Sequence, residues 1–316
     1  MIRRMPLRRL PVCPVVLLAL AQPAHAADHP VAVITEARGA VSVQRGRLPA
    51  RTAAAGARLL DGDLLSTGKG GSARVLMART GGRWQLGAGA RAAVHASLLR
   101  RVAGTAPRRL PAVSARLLRA AGTLGEDPLP RLRGGALRGG QSGRGPHTPR
   151  PVGAVEDTGP LLAWDGDPHP DAARRDGRIS VVVRDAEDST LLFSAELPLD
   201  ARQVRLPEGT LRPGRWALWS ATVVDSTGAF GRCGGPVRVL TAAERAQMDL
   251  LEAEAESARR SAPGDPTPDL LAARAASRYG MFTRAADLYR AVLARGANPV
   301  AQKALERIHA LAGGVR

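Results

Sequence analysis

The sequence predicts a modular, mainly β chain with an α C-terminal segment, and three observations carry this. Short apolar-polar alternations closed by glycine or proline-glycine recur from Val41 to Leu240. From Thr241 the apolar spacing lengthens to three and four residues behind a helix-start signal. Between the two β regions lies a stretch rich in Arg, Gly and Pro. At about one domain per 100–200 residues, 316 residues make two or three compact domains. A hydrophobic fraction of 44% excludes wholesale disorder, and four Trp, two Tyr and three Phe leave Val, Leu and Ala to fill the cores. Two cysteines exclude a disulfide framework or a cysteine-rich metal scaffold.

Residues 1–26 read as a secretory signal peptide. Arg3, Arg4, Arg8 and Arg9 form a positive start, Val12 to Ala21 is the apolar run, and Ala24-His25-Ala26 fits small-x-small cleavage, so the mature chain is expected to begin at Ala27. The run is about half the 20 apolar residues a membrane span needs, and no later stretch approaches that length. The expected location is periplasmic or secreted, with no stable membrane span. Cys13 leaves with the signal, and Cys233 is then a lone thiol without an intrachain partner.

Residues 27–103 read as a small β domain. Val41 and Val43 alternate with Ser42 and Gln44, Ala73, Val75 and Met77 share one parity, and Trp84 and Leu86 flank Gln85. Asp61 and Asp63 flank Gly62 and are expected to form a turn rather than a metal pair. The segments Arg38-Gly39-Ala40-Val41-Ser42-Val43, Gly56-Ala57-Arg58-Leu59-Leu60-Asp61-Gly62-Asp63-Leu64-Leu65-Ser66-Thr67-Gly68, Ala73-Arg74-Val75-Leu76-Met77 and Arg83-Trp84-Gln85-Leu86 resemble the FecR domain. The resemblance implies a periplasmic β module that binds another component. Founding members of that family relay signals through a cytoplasmic anti-sigma segment and a membrane helix, which these residues do not match, so relay to a sigma factor is not carried over.

Residues 104–150 read as an Arg/Gly/Pro-rich flexible linker. Half of the net charge of +18 lies in residues 100–150, where eleven arginines face only Glu126 and Asp127. Arg133-Gly134-Gly135, Arg138-Gly139-Gly140 and Arg144-Gly145 look like an arginine-glycine box, but no aromatics interleave for base stacking and an exported chain seldom meets RNA. A solvated connector is the leading expectation, with attraction to acidic lipid, glycan or cell-wall phosphate behind it and nucleic acid last. The patch from Val113 to Ala121 is the one place where a brief helix is expected.

Residues 151–240 read as a β-sandwich, with strands over 161–164, 179–184, 191–196, 204–206, 215–224 and 237–240 and a proline-glycine turn at Pro213-Gly214. Gly159-Pro160-Leu161-Leu162-Ala163-Trp164 resembles the early strands of an Ig-like or fibronectin-like module, which implies that Trp164 packs in the core. Asp165, Asp167, His169 and Asp171 alternate as in the nearest approach to a cation site, but Pro168 and Pro170 interrupt them, so a turn-rich loop leads over a divalent cation.

Residues 241–316 read as a helical tail. Thr241-Ala242-Ala243-Glu244 is a capping box for a helix that fades by Ser261. Helices are expected from Thr267-Pro268 to near Gly280, from Thr283 to Arg295, and after Pro299. Leu271 to Leu311 resembles one tetratricopeptide-like repeat with a capping helix, with Tyr279-Gly280 at the turn and Phe282, Ala285 and Tyr289 at packing positions. A single repeat cannot bury its own face, so it packs on a neighbouring domain or docks a partner.

No GxSxG, HExxH, Walker loop, dinucleotide fingerprint or CxxC occurs, and His29, His95, His147, His169 and His309 are scattered. The expectation is therefore a non-catalytic exported binding, scaffold or signalling-accessory protein, without catalytic, cofactor or metal residues. Its expected partner is an envelope protein or a cell-wall component. Glycan or cell-wall binding is the second reading; regulation of an envelope transporter or sigma-factor system is a third, on family resemblance alone.

Overall fold

A computed structural model describes residues 29–122, 147–165, 177–226 and 228–313. The expected signal peptide, the middle of the expected linker and Asp167, His169 and Asp171 lie outside these residues.

The first unit holds ten strands: β1 (Ala32–Arg38), β2 (Val41–Gln44), β3 (Arg51–Thr52), β4 (Arg58–Leu59), β5 (Leu64–Thr67), β6 (Ser72–Met77), β7 (Arg83–Leu86), β8 (Arg91–Val94), β9 (Leu99–Ala103) and β10 (Arg108–Leu110). They make two five-stranded antiparallel sheets, ordered β10-β7-β6-β1-β4 and β3-β2-β5-β8-β9. Ile34, Val41, Leu65, Val75, Met77 and Leu86 fill the space between them. The first half of β1 is buried on both faces, since Ala32 and Ile34 point into this core while Val33 joins a different one. Its unbroken apolar run Val31-Ala32-Val33-Ile34 is the pattern of a strand covered on both sides.

The expected linker does not extend to its described ends. β10 pairs with β7, and helix α1 (Ala115–Ala121) follows, with Val113, Leu117 and Ala121 buried. At the far end β11 (His147–Arg150) belongs to the second unit. The apolar residues at positions 110, 113, 117 and 121, spaced three to four apart, find a core to enter, and this outweighs the linker-like composition.

The second unit continues with β12 (Gly153–Val155), β13 (Leu161–Asp165), β14 (Arg178–Asp185), β15 (Leu191–Pro198), β16 (Gln203–Arg205), β17 (Trp216–Asp225) and β18 (Gly228–Val239). A three-stranded sheet, β11-β13-β16, faces a five-stranded one, β12-β18-β17-β14-β15, in which β12 runs parallel to β18. Inward residues alternate along the strands: Ile179, Val181 and Val183 on β14, Ala217, Trp219, Ala221 and Val223 on β17. The last strand starts nine residues before its expected position at Val237, because Arg232, Cys233, Gly234 and Gly235 all pair with β17. Gly234 sits opposite Ser220 at φ 155, and a Cβ there would lie 2.0 Å from the Trp219 carbonyl oxygen, so the glycine permits close strand approach.

The tail folds as α2 (Ala242–Ser261), α3 (Thr267–Arg278), α4 (Phe282–Ala294) and α5 (Pro299–Gly313). The capping box is complete: Thr241 Oγ1 accepts from the Glu244 N–H, and the Glu244 carboxylate accepts from the Thr241 N–H. Asn298 caps α5, its Oδ1 accepting from the N–H groups of Val300 and Ala301 at 3.1 Å. α3 is buried along nearly its whole length, as an alanine-rich helix approached from several sides must be.

The tail thus packs within the chain. Its core takes Val33 and Leu76 from the first unit, Val113, Leu117 and Ala121 from the α1 segment, and Val152, Ala154 and Leu240 from the second. The Ala154 N–H donates to the Gly280 carbonyl at 2.7 Å, and a Cβ on Gly153 would lie 1.9 Å from that oxygen, so glycine lets β12 seat against the α3–α4 turn. The architecture is mainly β with a helical C-terminal layer that joins both β units.

Candidate functional site

α1 is positioned by its two ends. Ser114 Oγ accepts from the Leu117 N–H at 3.0 Å and donates to Glu254 of α2, while at the other end Arg278 NH1 donates to the carbonyls of Arg119 and Ala120 at 3.3 and 3.4 Å. A cation there complements the negative end of the helix. With Leu117 and Ala121 facing the core, Arg116 and Arg119, three residues apart, share the outer face. They open onto a cleft of about 490 Å³ whose other walls are Ala120, Gln247 of α2, and Arg278 and Tyr279 at the end of α3. Glu254 lies 3.4 Å from Arg116. Among the described residues the Arg119 guanidinium has no hydrogen-bond or ion-pair partner. Three guanidinium groups beside one carboxylate leave the cleft positive, with planar donor arrays suited to oxyanions.

The joint between the first unit and the tail is polar at its centre. Arg83, 1% exposed, donates to Asp265 Oδ2 at 2.7 Å and to the Pro111 carbonyl at 2.5 Å. Burial pushes the Arg83 guanidinium below its ordinary value, against the opposing pull of Asp265. Asp265 Oδ1 accepts from the Thr267 N–H and hydroxyl at 2.9 and 2.7 Å. Thr267 Oγ1 in turn lies 2.9 Å from Thr35 Oγ1, and Asn298 Nδ2 donates to the Thr35 carbonyl at 3.1 Å. The network is satisfied throughout, which makes it a structural lock rather than a reactive centre.

The second unit meets the tail at Arg238. Its guanidinium forms paired bonds to Glu244 at 3.1 and 2.9 Å, reaches the Tyr279 carbonyl at 3.3 Å and stands 5.4 Å from the Trp216 ring centroid. Burial opposes ionisation of Glu244, but the Arg238 bonds and the Thr241 N–H outweigh it and hold the carboxyl below the usual carboxylate range.

The residues singled out in the sequence do not converge. Asp63 is 1% exposed, and its carboxylate accepts from the Leu60 N–H at 2.8 Å and pairs with Arg45 at 3.1 Å, so it closes a turn. Asp61 is exposed, 3.6 Å from His95 Nδ1. Trp164 is 2% exposed beside Trp219, ring centroids 6.4 Å apart, and its ring N–H finds no acceptor among the described residues. Asp165 is the one described member of the alternating series and lies exposed, 3.8 Å from Arg150. Burial drives the Cys233 thiol up to about 12. His309 is pushed down by burial and then by Arg290, whose NH2 stands 3.3 Å from its Nε2. No group of three or more potential metal ligands occurs among the described residues.

Sequence reasoning missed the cleft. Arg116 and Arg119 were visible on the expected brief helix, but nothing in the sequence places Gln247 and Arg278 beside them.

No family model and no curated protein matches the chain. Among solved structures it is similar to the twitchin kinase region from C. elegans (16% identity, 31% of this chain and 17% of that one, TM-score 0.22). It is also similar to the chicken CNTN1 FN1–FN3 domains (9% identity, 66% of this chain and 57% of that one, TM-score 0.24). The chain spans less than two thirds of the length of either. The fold assignment rests on the topology itself: the described residues between 147 and 240 form an immunoglobulin-like or fibronectin-like β-sandwich, two antiparallel-dominated sheets over a core of alternating inward side chains.

Proposed function

We propose that the chain is a non-catalytic, exported binding or scaffold protein of the cell envelope whose first unit is a FecR-like domain. One observation supports this reading best: both β units are fixed to a single helical layer through a shared apolar core, sealed on one side by the Arg83–Asp265 pair. Such a body holds two β surfaces and a basic cleft at constant spacing, which is what a scaffold requires and what a pair of flexibly tethered modules lacks. In-cell crosslinking of the tagged full chain, with mass spectrometry of captured material and of the N-terminus, tests it. An N-terminus at Ala27 and a reproducible envelope protein are expected; an N-terminus at Met1 in the cytosol overturns the reading.

Cell-wall or glycan binding is the second reading, favoured by the positive cleft between α1, α2 and α3. It expects salt-sensitive co-sedimentation with purified cell wall.

A further inference from the structure

We infer that the cleft lined by Arg116, Arg119, Arg278, Gln247 and Tyr279 binds a ligand bearing two adjacent phosphoryl groups, of which pyrophosphate is the minimal member. The charge is concentrated by the fold rather than by the sequence, since Arg278 enters from a helix about 160 residues downstream of α1. Each arginine has a defined condition. Arg278 is anchored on two carbonyl groups, which fix its position without neutralising it. Arg116 is partly balanced by Glu254 at 3.4 Å. Arg119 has neither an anchor nor a counter-ion among the described residues.

Size and charge select the ligand class. The cleft, open to solvent and about 490 Å³, leaves room for more than a single tetrahedral anion. Three guanidinium groups against one carboxylate suit a ligand with two or more negative charges, and a monocarboxylate leaves part of that charge unmatched. Phosphoryl oxygens also accept paired guanidinium bonds from more than one direction, which fits arginines approaching from α1 and from the end of α3. Gln247 and Tyr279 complete the remaining wall.

The inference does not depend on export or on capture of an envelope protein, so either can fail alone. Calorimetric titration of the purified full chain with pyrophosphate is expected to show one site per chain, weakened as NaCl rises from about 0.05 to about 0.5 M. Arg119→Ala and Arg116→Ala are each expected to weaken binding about tenfold, the size of a lost charge-assisted contact. Both side chains are exposed, so an unchanged melting temperature verifies that the variants fold. Arg119→Lys keeps the charge but loses the planar fork, and is expected to fall between wild type and Arg119→Ala. A parallel titration with phosphatidylcholine vesicles carrying a polyprenyl diphosphate identifies the source: vesicle binding that both alanine variants lose points to a lipid headgroup, and pyrophosphate binding without vesicle binding points to a soluble or cell-wall phosphate. No pyrophosphate binding, or equal binding by the Arg116→Ala/Arg119→Ala double variant, overturns the inference.

Discussion

The guanidinium of Arg83 and the carboxylate of Asp265 meet at 2.7 Å across 182 residues of chain, with side chains 2% and 1% exposed. A buried pair of this kind is costly to break from one side, because the surviving charge stays in a low-dielectric site. Arg83→Ala or Asp265→Ala is therefore expected to destabilise the fold by about 3–5 kcal/mol. Replacing both partners by apolar residues of similar size, as in Arg83→Met/Asp265→Leu, is expected to cost much less than the sum of the single losses. Denaturant melts of the four proteins give the coupling energy, and additive losses would falsify the lock.

A truncation in α1 tests whether that segment belongs to the fold. Leu117 is fully buried in the shared core, so Leu117→Ala is expected to lose about 2–5 kcal/mol of stability. The same change in a solvated linker is nearly silent. A midpoint shift too small to measure would mean that α1 does not pack as described.

Acid dependence should track Glu244. Its carboxyl is held below the usual carboxylate range in the folded chain, so it contributes stability above its unfolded value and loses that contribution as pH falls through the folded value. The melting-temperature gap between wild type and Glu244→Gln is expected to be widest near neutrality and to close as pH drops below about 4. Thr241→Ala removes the other half of the cap, at about 1 kcal/mol. A gap that is constant with pH counts against the Arg238–Glu244–Thr241 assignment.

Cys233 is expected to be inert while the sandwich is folded. With its thiol driven up to about 12 by burial in that core, almost no thiolate exists at pH 8. Labelling by a thiol-disulfide reagent should be slow in native buffer and rapid in denaturant. Fast native labelling would show that the β17–β18 ladder opens locally.

Local signals were legible wherever one residue type has one structural use. The Thr241–Glu244 box, Pro268 and Pro299 marked three helix starts within a residue of where they fall, because capping and proline act through the nearest turn of backbone. The alternation along β14 and β17 was equally plain, since one face of each lies against a single core. Where glycine permits close packing rather than a turn, as at Gly234, the strand begins earlier than the expected Val237. In the α1 segment the brief helix was legible, but the linker-like composition gave no sign that Val113, Leu117 and Ala121 enter a shared core.

What the sequence determined by itself was the order and type of elements: two β regions, then a helical layer begun by a capping box. Only tertiary structure decided that the helical layer covers the outer face of β1 and β6, that Arg83 finds Asp265, and that Arg278 completes a cleft with Arg116 and Arg119. The reason is one of range. Backbone hydrogen bonding and side-chain periodicity act over a few residues and leave their pattern in the chain. Burial and ion pairing act between surfaces, and which surfaces meet depends on every element that lies between them.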